Sequence, residues 1–141
     1  MPDVAEVHGK LIAVFETNAN SGRFVVSSVT SSDYGTTWGN RQRVYTPKGA
    51  NTNAGATQVY NVGGTLVESF NTDEDKATPG SYASGATKII VSSDEGTTWK
   101  SKTTVFFQGA NWPGEAVSGS ELLVVTGDNG EGAMAQTVSV V

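Results

Sequence analysis

The chain has 141 residues, a formal net charge of -5 and no cysteine, so its length fits one domain while disulfides and thiolate metal sites are excluded. The acidic balance argues against a nucleic-acid partner. With 17 glycines and only 16% charged residues, the composition favours many short strands over helices.

Taken in order, residues 3–7 predict a strand, His8-Gly9-Lys10 a turn, and the apolar run at 11–15 a strand buried on both faces. A loop at 18–22 precedes a strand rich in Val and Phe at 23–30. An octet, Ser31-Ser32-Asp33-Tyr34-Gly35-Thr36-Thr37-Trp38, then turns the chain into a strand at 41–46. A loop at 48–55 leads to a second unit. There 56–62 and 65–70 are strands around a Gly63-Gly64 turn, and 71–80 is a polar loop of the kind that carries function on a rigid scaffold. Residues 87–92 form the next strand. The octet then returns as Ser92-Ser93-Asp94-Glu95-Gly96-Thr97-Thr98-Trp99, ahead of a strand at 103–107. A third unit opens with Asn111-Trp112-Pro113. It has strands at 115–117, 122–126 and 133–141, with a loop at 128–132. Leu11, Leu66 and Leu122 occupy equivalent places in the three units, each behind a turn that contains glycine.

Both octets read S-x-D-x-G-x-T-W, and their tryptophans lie 61 residues apart. Repetition at that period decides the architecture before any single residue does. The Asp side chain accepts bonds from backbone N–H groups just ahead of it, the Gly supplies positive φ, and the Trp is a large face to bury against the next unit. The pattern resembles the Asp box, or BNR repeat, of sialidases and related β-propeller glycoside hydrolases. The resemblance implies that Asp33 and Asp94 form turns on the blade face away from an active site and are not catalytic acids. It also implies an all-β fold of four-stranded antiparallel blades: blade one at 1–48, blade two at 54–108 and an incomplete blade three at 111–141. That is about half of a six-bladed propeller, whose last strand the N-terminus of a full protein would supply. The segments 1–5, 11–16 and 23–41 and the run Asn111-Trp112-Pro113-Gly114 are similar to the C-terminal half of the family 93 exo-arabinanases.

Such a half-ring leaves the flat faces of its first and last blades in water. Two outcomes are open: an open fragment, or self-association of two copies into a ring.

A propeller binds its ligand on the face formed by the entry ends of the inner strands and the loops after the second strands. Here that face holds Asp3, Glu16, Gln58, Asn71, Trp112 and Asp128, with Asn129 beside it. Glycoside hydrolysis needs two carboxyl groups roughly 5 to 9.5 Å apart. The carboxylate candidates are Glu16, Glu6, Asp3 and Asp128. Glu16 leads, because it directly follows the buried run at 11–15 and because a Phe-Glu pair ends the second strand of a blade in the enzymes that the chain resembles. Glu6 is the second catalytic candidate. Asp3, Gln58, Asn71, Trp112 and Asp128 are candidates for substrate contact, Trp112 by stacking on a sugar ring. Glu115 aligns with Val4 and reads as structural, and the run Asp73-Glu74-Asp75 as a solvated loop.

No cofactor is expected. His8 is the single histidine, which excludes a multi-His metal site. No Trp-Glu-Pro segment supplies the partner acid, and with Arg23, Arg41 and Arg43 as the only arginines a sialidase-type triad looks absent. The expectation is therefore part of a secreted exo-acting glycosidase, exo-arabinanase-like, whose second carboxylate comes from outside this chain. The alternative is a non-catalytic carbohydrate-binding or self-assembling propeller fragment. The expected partner is carbohydrate, with neither nucleic acid nor membrane. No signal peptide is visible at Met1-Pro2-Asp3.

Overall fold

The computed structural model describes residues 1–18, 22–128, 130 and 132–140, and these described residues form ten strands and no helix. Positions 19–21 of the expected 18–22 loop, and Asn129, lie outside the described residues. The first sheet holds β1 (Asp3–Val7), β2 (Lys10–Thr17), β3 (Val25–Ser31) and β4 (Gly39–Tyr45) in sequence order, all antiparallel. The second unit repeats it with β5 (Ala54–Val62), β6 (Thr65–Thr72), β7 (Gly85–Ser92) and the start of β8 (Lys100–Ser118).

β8 differs from the expectation of two separate strands. It is continuous through 19 residues. Its residues 100–110 pair with β7, and from Asn111 onward it pairs with β9 (Glu121–Gly127), which in turn pairs with β10 (Ala133–Ser139). The outer strand of the second blade thus runs straight into the inner strand of the third. Positive φ at Gly109 and Trp112, and a register shift between Asn111 and Gly114, mark the bend.

The two octets fold alike. Asp33 Oδ1 accepts from Thr37 N–H at 2.8 Å and Oδ2 from the Thr37 hydroxyl at 2.6 Å. Asp94 makes the same pair of bonds to Thr98. These bonds, with that from the neighbouring serine hydroxyl, hold both carboxyls down at about 2. Gly35 and Gly96 sit at φ 86 and 81, where a side chain would be strained.

The core lies between blades. Ala5, Val7, Ile12 and Val14 of the first blade meet Val59 and Leu66 of the second, with Trp99 packed against them. Val62, Val67 and Ile89 meet Leu122 and Val124 of the third. Each blade therefore has a front, carrying its equivalent leucine, and the first two blades each have a back that receives the next one. The run at 11–15 shows the division. Ile12 and Val14, on the back, have no exposure, whereas Leu11, Ala13 and Phe15, on the front, are half-buried.

The run at 73–75 is not the solvated loop expected of it. Asp73 is fully buried and the Glu74 side chain is 1% exposed. Glu74 accepts from Lys88 at 2.5 Å, from the Tyr45 hydroxyl at 2.6 Å and from Lys102 at 2.9 Å, while Lys88 also pairs with the half-exposed Asp75. Burial opposes the charge on Glu74, but these donors and Lys48 N–H outweigh it and hold its carboxyl at about 2. The network ties β4 of the first blade to the loop of the second.

Candidate functional site

The antiparallel order places the β1–β2 turn, the β5–β6 turn and both octets at one end of the blades. The opposite end carries the last residues of β2 and β6 and the segments 46–53, 73–84 and 107–112. Glu16 sits at this second end.

Glu16 reaches across to the second blade. Its Oε2 accepts from Ala56 N–H at 2.6 Å, and its Oε1 accepts from the Tyr82 hydroxyl at 3.3 Å and from the Met1 ammonium at 3.2 Å. Burial, reinforced by the charge and hydrogen bond of Glu16, pushes the Tyr82 phenol up to about 12, so it remains a donor at neutral pH. Gly55 is what lets the two side chains meet: a Cβ there would lie 2.2 Å from Glu16 Oε2 and 2.6 Å from the Tyr82 ring. Gly55→Ala is therefore expected to drive Glu16 and Tyr82 apart, costing about 1–3 kcal/mol of stability as measured by denaturant unfolding.

Beside this pair lies a cleft of about 380 Å³, lined by Arg23, Phe24, Asn51, Asn53, Ser81 and Tyr82 among others. Phe24 and Tyr82 meet edge to face with centroids 5.9 Å apart. Asp73 braces the floor. It accepts from Asn53 N–H and side-chain amide through its two oxygens, and from Gly80 N–H at 2.8 Å. Arg23 is held by the carbonyls of Pro47 and Gly49. Arg41 lies over the Phe15 ring at 5.9 Å, so these two guanidiniums serve different places.

The other candidates fall apart by location. Glu6 is exposed at the β1–β2 turn, where it accepts from Gly9 N–H. It pairs in register with Leu11, five residues from Glu16 along β2, so about 17 Å of strand separates the two. That exceeds the separation at which two carboxyls serve one glycosidic bond. Asp3 accepts from Val4 N–H and, across the blade boundary, from Val59 N–H at 2.9 Å. Asn71 is fully buried between the Thr87 hydroxyl and the Ala110 carbonyl, both at 2.8 Å, and offers nothing to a ligand in solution. Asp128 accepts from Gly130 and Gly132 N–H and closes its own loop. Gln58 is half-buried, and Trp112 is 58% exposed near the bend of β8. The structure groups Glu16 with Tyr82, Gly55 and the cleft. Sequence reasoning missed those three partners, because Tyr82 lies in a Gly/Ser-rich loop with no pattern to mark it.

Two further carboxyls are buried near the inner strands. Glu68 has no exposure. Its Oε1 accepts from the Thr57 hydroxyl at 2.8 Å, and its Oε2 has no hydrogen-bond partner among the described residues. Both oxygens of Glu115 are buried, with the Ser69 hydroxyl as the polar group that opposes the effect of burial. Burial pushes both carboxyls up to about 8. Glu115 adds to the shift of Glu68, and Asp3 to that of Glu115. Glu115 thus occupies a position that holds Val4 and Val59 in the other blades, and it is accommodated there as a neutral acid.

No family model matches the sequence, and no curated protein matches it. Solved structures do. A Hadza microbial sialidase superposes with TM-score 0.63 at 13% identity, covering 97% of this chain and 43% of that one. An exo-β-1,3-galactanase from Clostridium thermocellum gives 0.65 at 14% identity, covering 91% of this chain and 31% of its own. An exo-β-1,3-galactanase from Phanerochaete chrysosporium gives 0.60 at 15% identity, covering 91% and 32%. At these identities the likeness is one of fold. The chain is all-β, its fold matches part of a sialidase-like β-propeller, and it spans less than half the length of these neighbours.

Proposed function

We propose that this chain is part of a propeller glycoside hydrolase that removes sugar units from the ends of oligo- or polysaccharides, with Glu16 as one of its two carboxylates. The observation that supports this most is the placement of Glu16. It ends strand β2 and is clamped by Ala56 N–H and the Tyr82 hydroxyl, and Tyr82 in turn lines a polar, aromatic-edged cleft. Two bonds on one carboxylate hold it to the sub-ångström tolerance that catalysis demands. The cleft suits a neutral sugar, with Tyr82 and Phe24 offering apolar edges and Asn51 and Ser81 polar ones. The second carboxylate comes from blades outside this chain. Arabinan, galactan and sialoside ends are the substrates to separate, and the divergent positions of Arg23 and Arg41 favour an uncharged sugar over a sialoside. The parent protein is expected outside the cell.

The test is turnover of aryl arabinosides, galactosides and sialosides, and of the matching oligosaccharides, by the ring-bearing parent. Glu16→Gln is expected to lower kcat/KM by at least about 10³-fold with little change in KM. No turnover of any of these substrates by the parent would remove the proposal.

A second reading has its own observation. The Ala56 and Tyr82 contacts of Glu16 run between blades, and the side chain is only 19% exposed. On that reading Glu16 is a brace, and the module binds saccharide without cleaving it. Saccharide binding on a glycan array that survives Glu16→Gln, in a parent without hydrolytic activity, would select it.

A further inference from the structure

The boundary between the first and second blades changes character along its length. In its middle it is apolar, with Ile12 and Val14 of the first blade against Val59 and Leu66 of the second. At the octet end it opens into a groove of about 390 Å³, as large as the cleft beside Tyr82. That size is within the range of small-ligand sites, about 300–1,000 Å³. The first blade lines the groove with Thr30, Ser32, Asn40 and Gln42, and the second with Thr97 and the backbone at Gly96. Among the described residues that line it, none is apolar or aromatic. Lys10 at its edge and Glu16 lie near opposite ends of β2, about 20 Å apart, so the groove is remote from the cleft.

The walls are held in place. Gln42 Nε2 donates to the Gly96 carbonyl across the boundary, and Asn40 Nδ2 donates to the Thr30 hydroxyl at 3.1 Å. Each carboxamide thus spends one N–H on the wall and keeps its oxygen and its second N–H, which no other bond among the described residues takes up. Asn40 holds a φ of 51, in the left-handed region that few residues other than glycine adopt, and backbone of that kind gathers at ligand sites. The second octet is seated tightly on the first blade, since a Cβ at Gly96 would lie 3.2 Å from Ile12 Cγ1. The charges at the edge are already matched. Lys10 and His8 both meet Glu95, and in that order they hold its carboxyl below the ordinary range.

We propose that this groove is a second saccharide site, separate from the cleft beside Glu16, and that it takes a neutral sugar unit. The site does not depend on Glu16 being catalytic. A phosphate or sulfate would face carboxamide oxygens and the Glu95 carboxylate, with Lys10 already engaged. An apolar ligand would strip water from the amides and hydroxyls without replacing their bonds. A sugar hydroxyl both donates and accepts, as do the carboxamides of Asn40 and Gln42 and the hydroxyls of Thr30, Ser32 and Thr97. A ring with several hydroxyls therefore satisfies the wall group by group. With no aromatic face to stack on, the affinity is modest, with a Kd on the order of 1 mM.

The experiment is an NMR titration of the parent protein carrying Glu16→Gln, which keeps a substrate intact, with the asparagine and glutamine side-chain amides labelled. Asn40 and Gln42 report the groove, and Asn51 and Asn53 report the cleft. The probes are arabinobiose and galactobiose, with inorganic sulfate as the charged control. The amides of Asn40 and Gln42 are expected to shift saturably with at least one disaccharide and not with sulfate. Asn40→Gly suits the left-handed backbone and removes one carboxamide, so it should weaken binding read at Gln42 about 10-fold. Ser32→Trp, at an exposed octet position, should fill the groove and abolish the Gln42 shift. An otherwise unchanged spectrum shows that each variant is folded. No shift at Asn40 and Gln42, whether or not Asn51 and Asn53 respond, would overturn the proposal. An equal response to sulfate would overturn it in favour of an anion site, and a Gln42 shift that survives Ser32→Trp would overturn it as contact outside the groove.

Discussion

Raising the pH from about 5 to about 8.5 is expected to lower the melting temperature by more than about 10 °C, the reverse of the usual acid sensitivity of proteins. The cause is the buried pair Glu68 and Glu115. In the unfolded chain their carboxyls ionise near 4.5, but burial raises both to about 8 in the folded state. The folded protein therefore holds protons that the unfolded chain has released. Stability from each group is fully present below about 4.5 and is lost as the pH rises through about 8. A shift of this size corresponds to a change on the order of 4 kcal/mol per group, against a total domain stability of about 5–15 kcal/mol. Glu68→Gln keeps an oxygen for the Thr57 hydroxyl, and Glu115→Gln removes the charge from a position that is apolar in the other two blades. The double variant should melt at nearly the same temperature at pH 5 and pH 8.5. Melting followed by calorimetry across that range checks it, and a flat or rising wild-type profile would contradict the assignment.

Lys88→Met is expected to cost about 3–5 kcal/mol, because removing one partner of a buried ion pair leaves the other charge stranded. Lys88 is 3% exposed, and its partner Glu74 is 1% exposed at the side chain. The pH dependence has the opposite sign to that of the Glu68 pair. Glu74 is held at about 2, so its contribution is present above 4.5 and is lost as the pH falls through 2. Stability should therefore peak near pH 5, between the two limbs. The double change Lys88→Met with Glu74→Leu should recover part of the loss, since neither charge is then stranded. Urea unfolding of the wild type and the two variants measures this. The network anchors the loop that carries Tyr82, so saccharide affinity should fall with Lys88→Met as well. A loss below about 1 kcal/mol would mean that the pair behaves as a solvated one.

The repeat was legible because its mechanism is local. Ser31, Asp33, Gly35 and Thr37 act within one turn, and their copies at Ser92 to Thr98 do the same, so eight residues suffice to specify the hairpin. Strand positions followed from alternation and turn residues for the same reason. Glu16 was legible as a carboxylate at the end of an apolar strand. Its partners were not. Gly55, Ala56 and Tyr82 lie 39, 40 and 66 residues away and meet it only after two blades have packed.

Charge was the poorest guide. Asp73-Glu74-Asp75 reads as a solvated run, yet Asp73 is buried against Asn53 and Gly80, and the Glu74 carboxyl against Lys88 and Tyr45. Glu68 and Glu115 have no sequence signal of burial at all. The amino-acid order by itself determined the blade, its hairpin and its inner and outer strands, because those depend on residues within a few bonds or one turn of each other. Tertiary structure alone decided which carboxyls are held ionised and which are driven towards the neutral form. That depends on the dielectric and the donors that neighbouring blades bring, and these come from distant parts of the chain.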